Sequence, residues 1–132
     1  MYTAGEILQY TYDAVKALYL PIKGKLYKAG NRIAEGIEDM TIGVLNGTAD
    51  QVQEGTININ VFVPDVSATD GRYYCNSQRC LEIEKMLSDI DKKLNTVGDI
   101  RYDISDMIMT NQESKTQEHY VNVSLRYRVL NN

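Results

Sequence analysis

The sequence predicts an α+β fold, a two-layer sandwich in which two helices pack on a mostly antiparallel sheet of about four to five strands. Residues 54–64 and 119–129 alternate apolar and polar side chains, which is the period of a half-buried β-strand. Residues 73–94 instead repeat apolar side chains at helical spacing. Each predicted strand has one clearly more apolar face, and two helices on that face would complete one core. The predicted order is α-β-β-β-α-β-β.

The length and composition indicate one ordinary globular domain. A chain of 132 residues is expected to form a single domain, 1–132, that can bury roughly two thirds of its unfolded surface. Its hydrophobic content of 43% and charged content of 24% are typical of such domains. The start, MYTAGEILQY, lacks the features of a secretory signal, and no run of about 18 apolar residues predicts a membrane span.

The first element is predicted to be an amphipathic helix over residues 3–20. Thr3 is expected to cap it, because Glu6 follows three residues later at the spacing of a capping box. Pro21 is expected to end it. Its apolar residues recur broadly on one helical face: Ala4, Ile7, Leu8, Val15, Leu18 and Tyr19.

Three strands are predicted next. A short strand is expected at 25–28, and EDMTIGVLNG predicts a second strand that ends at the turn signal Asn46-Gly47. The third strand, 54–64, is expected to pair with the second in an antiparallel arrangement. Its two faces follow from the alternation: Ile57, Ile59, Val61 and Val63 toward the helices, and Asn58, Asn60 and Phe62 away from them.

The second half of the chain is predicted to contain one helix and two strands. Residues 65–72 have the composition of a loop, and the helix from Tyr73 is expected to end at Gly98. The segments DIRYDISDMIM and EHYVNVSLRYRVL alternate as strands, and TNQESKTQE between them is predicted to be a polar hairpin loop. The apolar stripe of the helix consists of Cys80, Ile83, Leu87, Ile90 and Leu94.

No residue pattern in the sequence predicts catalysis or metal binding. His119, the single histidine, opens the last strand and is expected to bond locally. Cys75 and Cys80 fit neither a C-x-x-C motif nor a zinc pattern, and two reduced thiols are expected. On one helix, their spacing would point the two side chains in different directions. Asp103 and Asp106 would lie on opposite faces of a strand. The sequence therefore predicts a protein that is not an enzyme and that has no metal or cofactor.

The charge and the aromatic residues bear on the choice of partners. Fourteen Lys and Arg against 18 Asp and Glu give a net charge of −4, which disfavours a protein that grips nucleic-acid phosphates. The charge does not exclude a protein that surrounds DNA without holding it. Ten tyrosines beside one phenylalanine and no tryptophan hint at assembly, because tyrosine suits half-buried positions and interfaces.

Two segments carry a pattern that extends beyond periodicity. QEGTININVFVPD fits Q-x-G-x-x-N-x-x-x-[YF]-V-x-D through Gln53, Gly55, Asn58, Phe62, Val63 and Asp65. EHYVN fits E-H-[YF]-x-N through Glu118, His119, Tyr120 and Asn122. With the order of elements, these segments resemble the tail-completion and tail-terminator proteins of tailed bacteriophages. NININVF departs from the pattern, since many relatives carry a charge or a tyrosine near this point.

The resemblance implies an α+β subunit of a homomeric ring at the phage neck or tail end. Such rings join the portal or connector to the tail proteins, stop tube growth and leave a channel through which DNA passes without specific binding. Six-fold symmetry is expected, or twelve-fold in a short-tailed phage, with no membrane contact. The protein would be made in the host bacterial cytoplasm and located in the virion. The subunit-interface candidates are Asn58, Asn60, Phe62, Asp65, Asp70, Arg72, Tyr120, Asn122, Arg126 and Arg128.

Three other functions stay open on the sequence. A head–tail adaptor or minor tail subunit would have the same fold and different neighbours. A ferredoxin-like ligand-binding regulatory module also packs two helices on an antiparallel sheet, and it predicts a glycine-rich ligand turn, for which DGRYY is the candidate. A hydrolase that uses Cys80 and His119 would lose its activity on Cys80→Ala.

Overall fold

The protein has a mixed α+β fold in which helices pack on one face of a sheet. The structure, a computed structural model, describes residues 1–33, 36–49, 52–95 and 98–130, and within them it has three helices, a six-stranded sheet and a two-stranded sheet. The helices are α1 (Ala4–Lys16), α2 (Ser77–Leu87) and α3 (Ile90–Leu94). The strands are β1 (Leu26–Lys28), β2 (Met40–Gly47), β3 (Glu54–Pro64), β4 (Val66–Ser67), β5 (Tyr73–Tyr74), β6 (Ile100–Ile104), β7 (Met109–Glu113) and β8 (Glu118–Val129).

Strand β8 has neighbours on both of its edges. The sheet order is β1-β2-β3-β8-β6, and β7 pairs with β8 on the same edge as β6. β1 lies parallel to β2, and the other pairs in this sheet are antiparallel, including the expected pairing of β2 with β3. The β3–β8 register runs unbroken from Glu54 opposite Arg128 to Pro64 opposite Glu118. The sheet is therefore mostly antiparallel, as predicted, but its six strands exceed the predicted four or five.

The extra strand arises because DIRYDISDMIM forms two strands rather than one. Ile104 lies opposite Leu125 and Met109 lies opposite Asn122, so the four residues between them face only two residues of β8. The excess residues loop out and divide the segment into β6 and β7. After Met109, the residues of β7 come from the segment predicted to be a polar loop. Within that segment, only residues 114–117 form a turn.

The predicted loop 65–72 contains a small hairpin. β4 and β5 pair antiparallel outside the main sheet. Gly71 lies between the two strands with a φ of +82°, a conformation that glycine adopts at no steric cost. The predicted helix start at Tyr73 is wrong, because Tyr73 belongs to β5. We call residues 65–74 the hairpin arm.

The predicted second helix is divided into α2 and α3. α2 begins after Asn76, whose side chain accepts a hydrogen bond from the Arg79 N–H. The chain leaves this helix at Ser88, whose hydroxyl donates to the Lys85 carbonyl in competition with helical bonding. The predicted apolar stripe nevertheless continues across the break. All of its members are buried: Cys80, Ile83, Leu87, Ile90 and Leu94.

Helix α1 begins as predicted and ends earlier. The Glu6 N–H donates to Thr3 Oγ1 at 3.2 Å, and the Thr3 N–H donates to Glu6 Oε1 at 3.1 Å, which is the predicted capping box. The helix ends at Lys16, before the predicted end at residue 20. Tyr19 then takes a φ of +50°, which lies outside the helical region.

The core lies between the helices and one face of the six-stranded sheet. The buried side chains of the helices and of β2, β3, β6 and β8 form one hydrophobic cluster. Thr11 on α1 connects the two layers, because its hydroxyl lies 2.8 Å from the hydroxyl of Tyr102 on β6. Burial raises the pKa of Tyr102 to about 12. The predicted core face of β3 is confirmed by the burial of Ile57, Ile59, Val61 and Val63.

Gly55→Ala is expected to lower the free energy of unfolding by roughly 1 to 3 kcal/mol, the usual cost of overpacking. The added Cβ would stand 2.7 Å from Cε1 of Tyr127 and would overlap the carbonyl oxygen of Asn46. Urea denaturation followed by circular dichroism measures the change. In the control Gly5→Ala, no neighbouring atom comes closer than 3.9 Å to the new Cβ, and a gain of roughly 0.4 to 1 kcal/mol is expected. The same sign of change in both variants would contradict this packing argument.

Candidate functional site

The face of the six-stranded sheet that points away from the helices carries most of the predicted site residues. Along β3 and β8, buried side chains largely alternate with half-buried or exposed ones. Because strands have a two-residue period, the less buried set lies on the face opposite the core. We call this surface the open face. On β3 and β8 it consists of Glu54, Thr56, Asn58, Asn60, Phe62, Tyr120, Asn122, Ser124, Arg126 and Arg128.

The centre of the open face is a cluster of neutral polar side chains. Asn60 lies opposite Asn122, whose Nδ2 donates to Asn60 Oδ1 at 2.8 Å. Asn58 lies opposite Ser124, whose hydroxyl donates to Asn58 Oδ1 at 2.8 Å. The asparagines of NININ therefore pair with side chains on the neighbouring strand, and such pairs stabilise a sheet. An asparagine amide has two N–H donors and one carbonyl acceptor, so these bonds use only part of its capacity.

One end of the open face is aromatic. Phe62 lies opposite Tyr120, with ring centroids 5.7 Å apart and ring planes tilted by 41°. The guanidinium carbon of Arg32, from the segment after β1, stands 4.0 Å from the Phe62 ring centroid. Phe62 and Arg32 also line an open depression of about 500 Å³. The single phenylalanine of the chain therefore lies on the face away from the core, where the Tyr120 ring and the Arg32 guanidinium partly cover it.

Arg32 is held between two buried carboxylates. Its Nε lies 3.2 Å from Asp39 Oδ2, and its two terminal nitrogens lie 3.2 and 2.6 Å from the two carboxylate oxygens of Glu118. The Asp39 and Glu118 side chains are only 2% and 8% exposed. Burial alone would lower the pKa of Arg32, but hydrogen bonds and charges from Glu118 and Asp39 raise it above its ordinary value. This cluster ties the segment after β1 to the beginnings of β2 and β8.

The opposite end of the open face is charged and solvated. Oε2 of Glu54 lies 3.2 Å from Nη2 of Arg126 and 3.5 Å from Nη2 of Arg128. Both arginine side chains are 54% exposed, so solvent screens these ion pairs and they stabilise the fold little. Asp103 and Arg101 on β6 lie opposite the same two arginines. The open face thus runs from an aromatic end through a neutral centre to an exposed charged end.

The structure separates the predicted interface residues into three groups. The Asp65 side chain is only 8% exposed, and its Oδ1 lies 2.6 Å from Nδ1 of His119, so the histidine bonds a residue just after β3 rather than a local one. Asp70 and Arg72 form an exposed ion pair between β4 and β5, with 3.6 Å between Oδ2 and Nε. The remaining predicted residues lie together on the open face: Asn58, Asn60, Phe62, Tyr120, Asn122, Arg126 and Arg128.

Four side chains of this region lie outside the predicted set. Glu54, Thr56 and Ser124 follow directly from the strand alternation and could have been included on that signal. Arg32 lies in the irregular segment KAGNR, where no periodicity indicates which face of the sheet it contacts. Its role depends on long-range contacts that only the folded chain creates.

The two cysteines are close together, contrary to the expectation from their spacing. Cys75 precedes α2 rather than lying on it, and its Sγ is 3.9 Å from Sγ of Cys80. Burial raises the pKa of Cys80 to about 12, so its thiol is protonated at neutral pH. The hydrolase alternative needs His119 paired with Cys80, but His119 bonds Asp65 and the Cys80 sulfur lies beside that of Cys75. In the described part of the chain, no group of three or more His, Cys, Asp or Glu side chains is arranged to hold a metal ion.

A second buried ion pair attaches α2 to the segment before β2. Arg79 donates from Nη2 to Glu38 Oε1 at 2.7 Å and from Nε to Glu38 Oε2 at 3.0 Å. The Glu38 side chain is 3% exposed. The hydrogen bonds from Arg79 lower the pKa of Glu38 against the opposing effect of burial. Arg79 also donates to the carbonyl of Pro21, which connects α2 to the chain after α1.

Comparison of the chain with protein-family models and with curated proteins gives no match. No helix among residues 1–33, 36–49, 52–95 and 98–130 is long and apolar enough to cross a membrane.

Arg32→Ala is expected to lower the free energy of unfolding by roughly 3 to 5 kcal/mol, because it leaves two buried carboxylates without their counter-charge. Arg72 belongs to the exposed ion pair with Asp70, and Arg72→Ala is expected to change the free energy of unfolding by less than about 1 kcal/mol. Chemical denaturation at neutral pH measures both variants. A loss at position 32 no larger than the loss at position 72 would contradict the role of the buried cluster.

The Glu38–Arg79 pair is expected to make stability depend on pH in the acid range. Because the pKa of Glu38 is lowered by folding, the contribution of its charge is present above the unfolded value, about 4.3, and is lost as the pH falls through the folded value. The free energies of unfolding of the wild type and Glu38→Gln should differ most at neutral pH and converge in acid. If the difference in free energy of unfolding between the two proteins stayed constant on acidification, folding would leave the pKa of Glu38 unchanged, and the prediction would be wrong.

Proposed function

We propose that this chain is a structural virion protein, a two-layer α+β subunit of a homomeric ring at the neck or tail end of a tailed bacteriophage. The ring would join the head connector to the tail and leave a channel for DNA. It would be six-fold, or twelve-fold in a short-tailed phage. The sequence resemblance in β3 and β8 points to the family. The open face is the structural observation that carries the proposal.

The open face has the composition expected of an interface. Aromatic residues and arginine are enriched at protein interfaces, whereas most charges are excluded from interface centres. Phe62 and Tyr120 at one end and the neutral amides in the middle fit this distribution, with the exposed arginines at the rim. Bonds from Asn122 and Ser124 satisfy the carbonyl oxygens of Asn60 and Asn58, and the amide N–H groups that these bonds leave over can donate to a neighbour that covers them.

The residues of the sequence resemblance divide by position into structural and outward-facing sets. Gln53 accepts a hydrogen bond from the Tyr2 N–H at 3.1 Å, and Asp65 bonds His119, so these residues stabilise the subunit itself. The outward-facing set lies on the open face: Asn58, Phe62, Tyr120 and Asn122. This division supports the proposal, because a ring subunit needs both a defined fold and a defined contact surface.

A closed ring also needs a second patch on every subunit, because neighbours in a ring meet head to tail. The hairpin arm is the candidate for this patch. Its side chains Val66, Tyr73 and Tyr74 are each about half exposed. Apolar side chains exposed on a two-stranded arm are more typical of a contact with a neighbouring protein than of a surface that stays in solvent. The net charge of −4 fits a channel in which acidic groups keep DNA from adhering.

Two alternatives predict different behaviour. A head–tail adaptor or minor tail subunit would use the same open face against a different neighbour, so it differs in partner and symmetry. The ferredoxin-like regulatory module is less well supported, because its glycine-rich ligand turn should connect a strand to a helix. Asp70, Gly71 and Arg72 instead lie between β4 and β5 of the hairpin arm.

Charge reversal on the open face tests the proposal. The double variant Arg126→Glu, Arg128→Glu changes two exposed side chains and leaves the core intact. The control Lys85→Glu, Lys92→Glu makes the same change of charge on exposed positions of α2 and α3. Size-exclusion chromatography with light scattering and negative-stain microscopy measure assembly over a range of concentrations, with and without candidate portal and tail-tube proteins. Circular dichroism verifies that each variant is folded.

The wild type and the helix variant are expected to form rings of six or twelve subunits, or to join a tail protein, whereas the open-face variant stays monomeric. Equal assembly of all three proteins would exclude the charged end of the open face from the interface. A wild-type chain that stays monomeric or dimeric and binds none of these proteins would contradict the ring proposal.

A further inference from the structure

The two cysteines lie at the base of the hairpin arm. Cys75 is the residue between the end of β5 and Asn76, the cap of α2, and Cys80 lies in the first turn of that helix. Their sulfur atoms are 3.9 Å apart, although the side chains belong to different elements. A bond between them would join the hairpin arm to α2 directly.

The backbone around the two thiols is held in place by hydrogen bonds. The carbonyl of Cys75 accepts from the Ser77 N–H at 2.9 Å, and the Cys80 N–H donates to the Asn76 carbonyl at 3.0 Å. A disulfide has its sulfurs about 2.05 Å apart, so the two atoms need to approach by only about 2 Å. Cys75 lies outside the helix, where its side chain can change rotamer without clashing with a preceding helical turn.

We propose that Cys75 and Cys80 are a reversible disulfide site that reacts with small-molecule disulfides of the glutathione type. The inference does not rest on the ring proposal, because it concerns the chemistry of one subunit. The pair of reduced thiols expected from the sequence is then one of two states of this site. In the oxidised state the bond would fix the base of the hairpin arm to the first turn of α2.

The different burial of the two thiols sets the order of the reaction. Cys75 is half-buried, whereas Cys80 is 3% exposed. The Cys75 thiolate attacks one sulfur of glutathione disulfide, which releases one glutathione thiolate and leaves a mixed disulfide. Cys80 then loses its proton and attacks Sγ of Cys75, which expels the second glutathione as a thiolate. Both thiolates take up protons, so two protein thiols are oxidised and one glutathione disulfide is reduced to two thiols.

Tryptic digestion identifies the product unambiguously, because Arg79 lies between the two cysteines. Cleavage after Arg72, Arg79 and Lys85 places Cys75 in YYCNSQR and Cys80 in CLEIEK. The folded chain is equilibrated in mixtures of reduced and oxidised glutathione, quenched with acid, alkylated and digested. The fraction of disulfide-linked YYCNSQR and CLEIEK is measured by mass spectrometry, and the titration is repeated in guanidinium chloride.

The wild type should give the linked peptide pair, with an equilibrium constant for the disulfide that is higher in the folded than in the unfolded chain. Cys80→Ser should accumulate the glutathione adduct on Cys75, and Cys75→Ser should leave the buried Cys80 largely unmodified. Stable glutathione adducts on the wild type, a disulfide between two chains, or a lower constant in the folded chain would each overturn the proposal.

Discussion

The pairing of β3 with β8 is the interaction on which the rest of the structure depends. It runs in one unbroken register over the whole of β3 and brings together strands that are far apart in the sequence. One face of the pair supplies much of the core against the helices, and the other supplies the centre of the open face. β2 pairs on the outer edge of β3, and β6 and β7 share the outer edge of β8. A one-residue slip in this register would exchange the two faces and destroy both surfaces at once.

Buried ion pairs hold the irregular segments around this strand pair. Arg32 joins the segment after β1 to Asp39 and Glu118, while Arg79 joins α2 to Glu38. Buried pairs of this kind contribute less to net stability than to the choice of one arrangement, because desolvation offsets much of their attraction. Because Arg32 also lies against the ring of Phe62, its cluster supports both the fold and the aromatic end of the open face. A ring subunit with such a surface could present it to a neighbour without rearrangement.

The polar centre of the open face gives the asparagines of NININ a role inside the chain. They bond to Asn122 and Ser124 across the strand pair, which explains why a residue type that is unfavourable in strands occurs twice in succession on one face. The bonds leave donor groups in reserve, so the cluster can also meet a neighbour. The hairpin arm differs in character, since its exposed side chains are apolar and its base carries the two thiols. The two surfaces therefore suit different partners or different patches of one partner.

The sequence by itself determined the strand faces, and with them the outward position of seven interface candidates on the open face. It also determined the cap of the first helix and the apolar stripe on the second helical segment. Each of these features depends on local periodicity or on capping chemistry. The tertiary structure alone decided the division of β6 from β7, since the register against β8 leaves room for only two of four residues. It also decided the burial of Asp65 against His119, the position of Arg32 and the approach of Cys75 to Cys80. These contacts join segments with no shared period, so their geometry is set by the packing of the whole chain rather than by any local pattern.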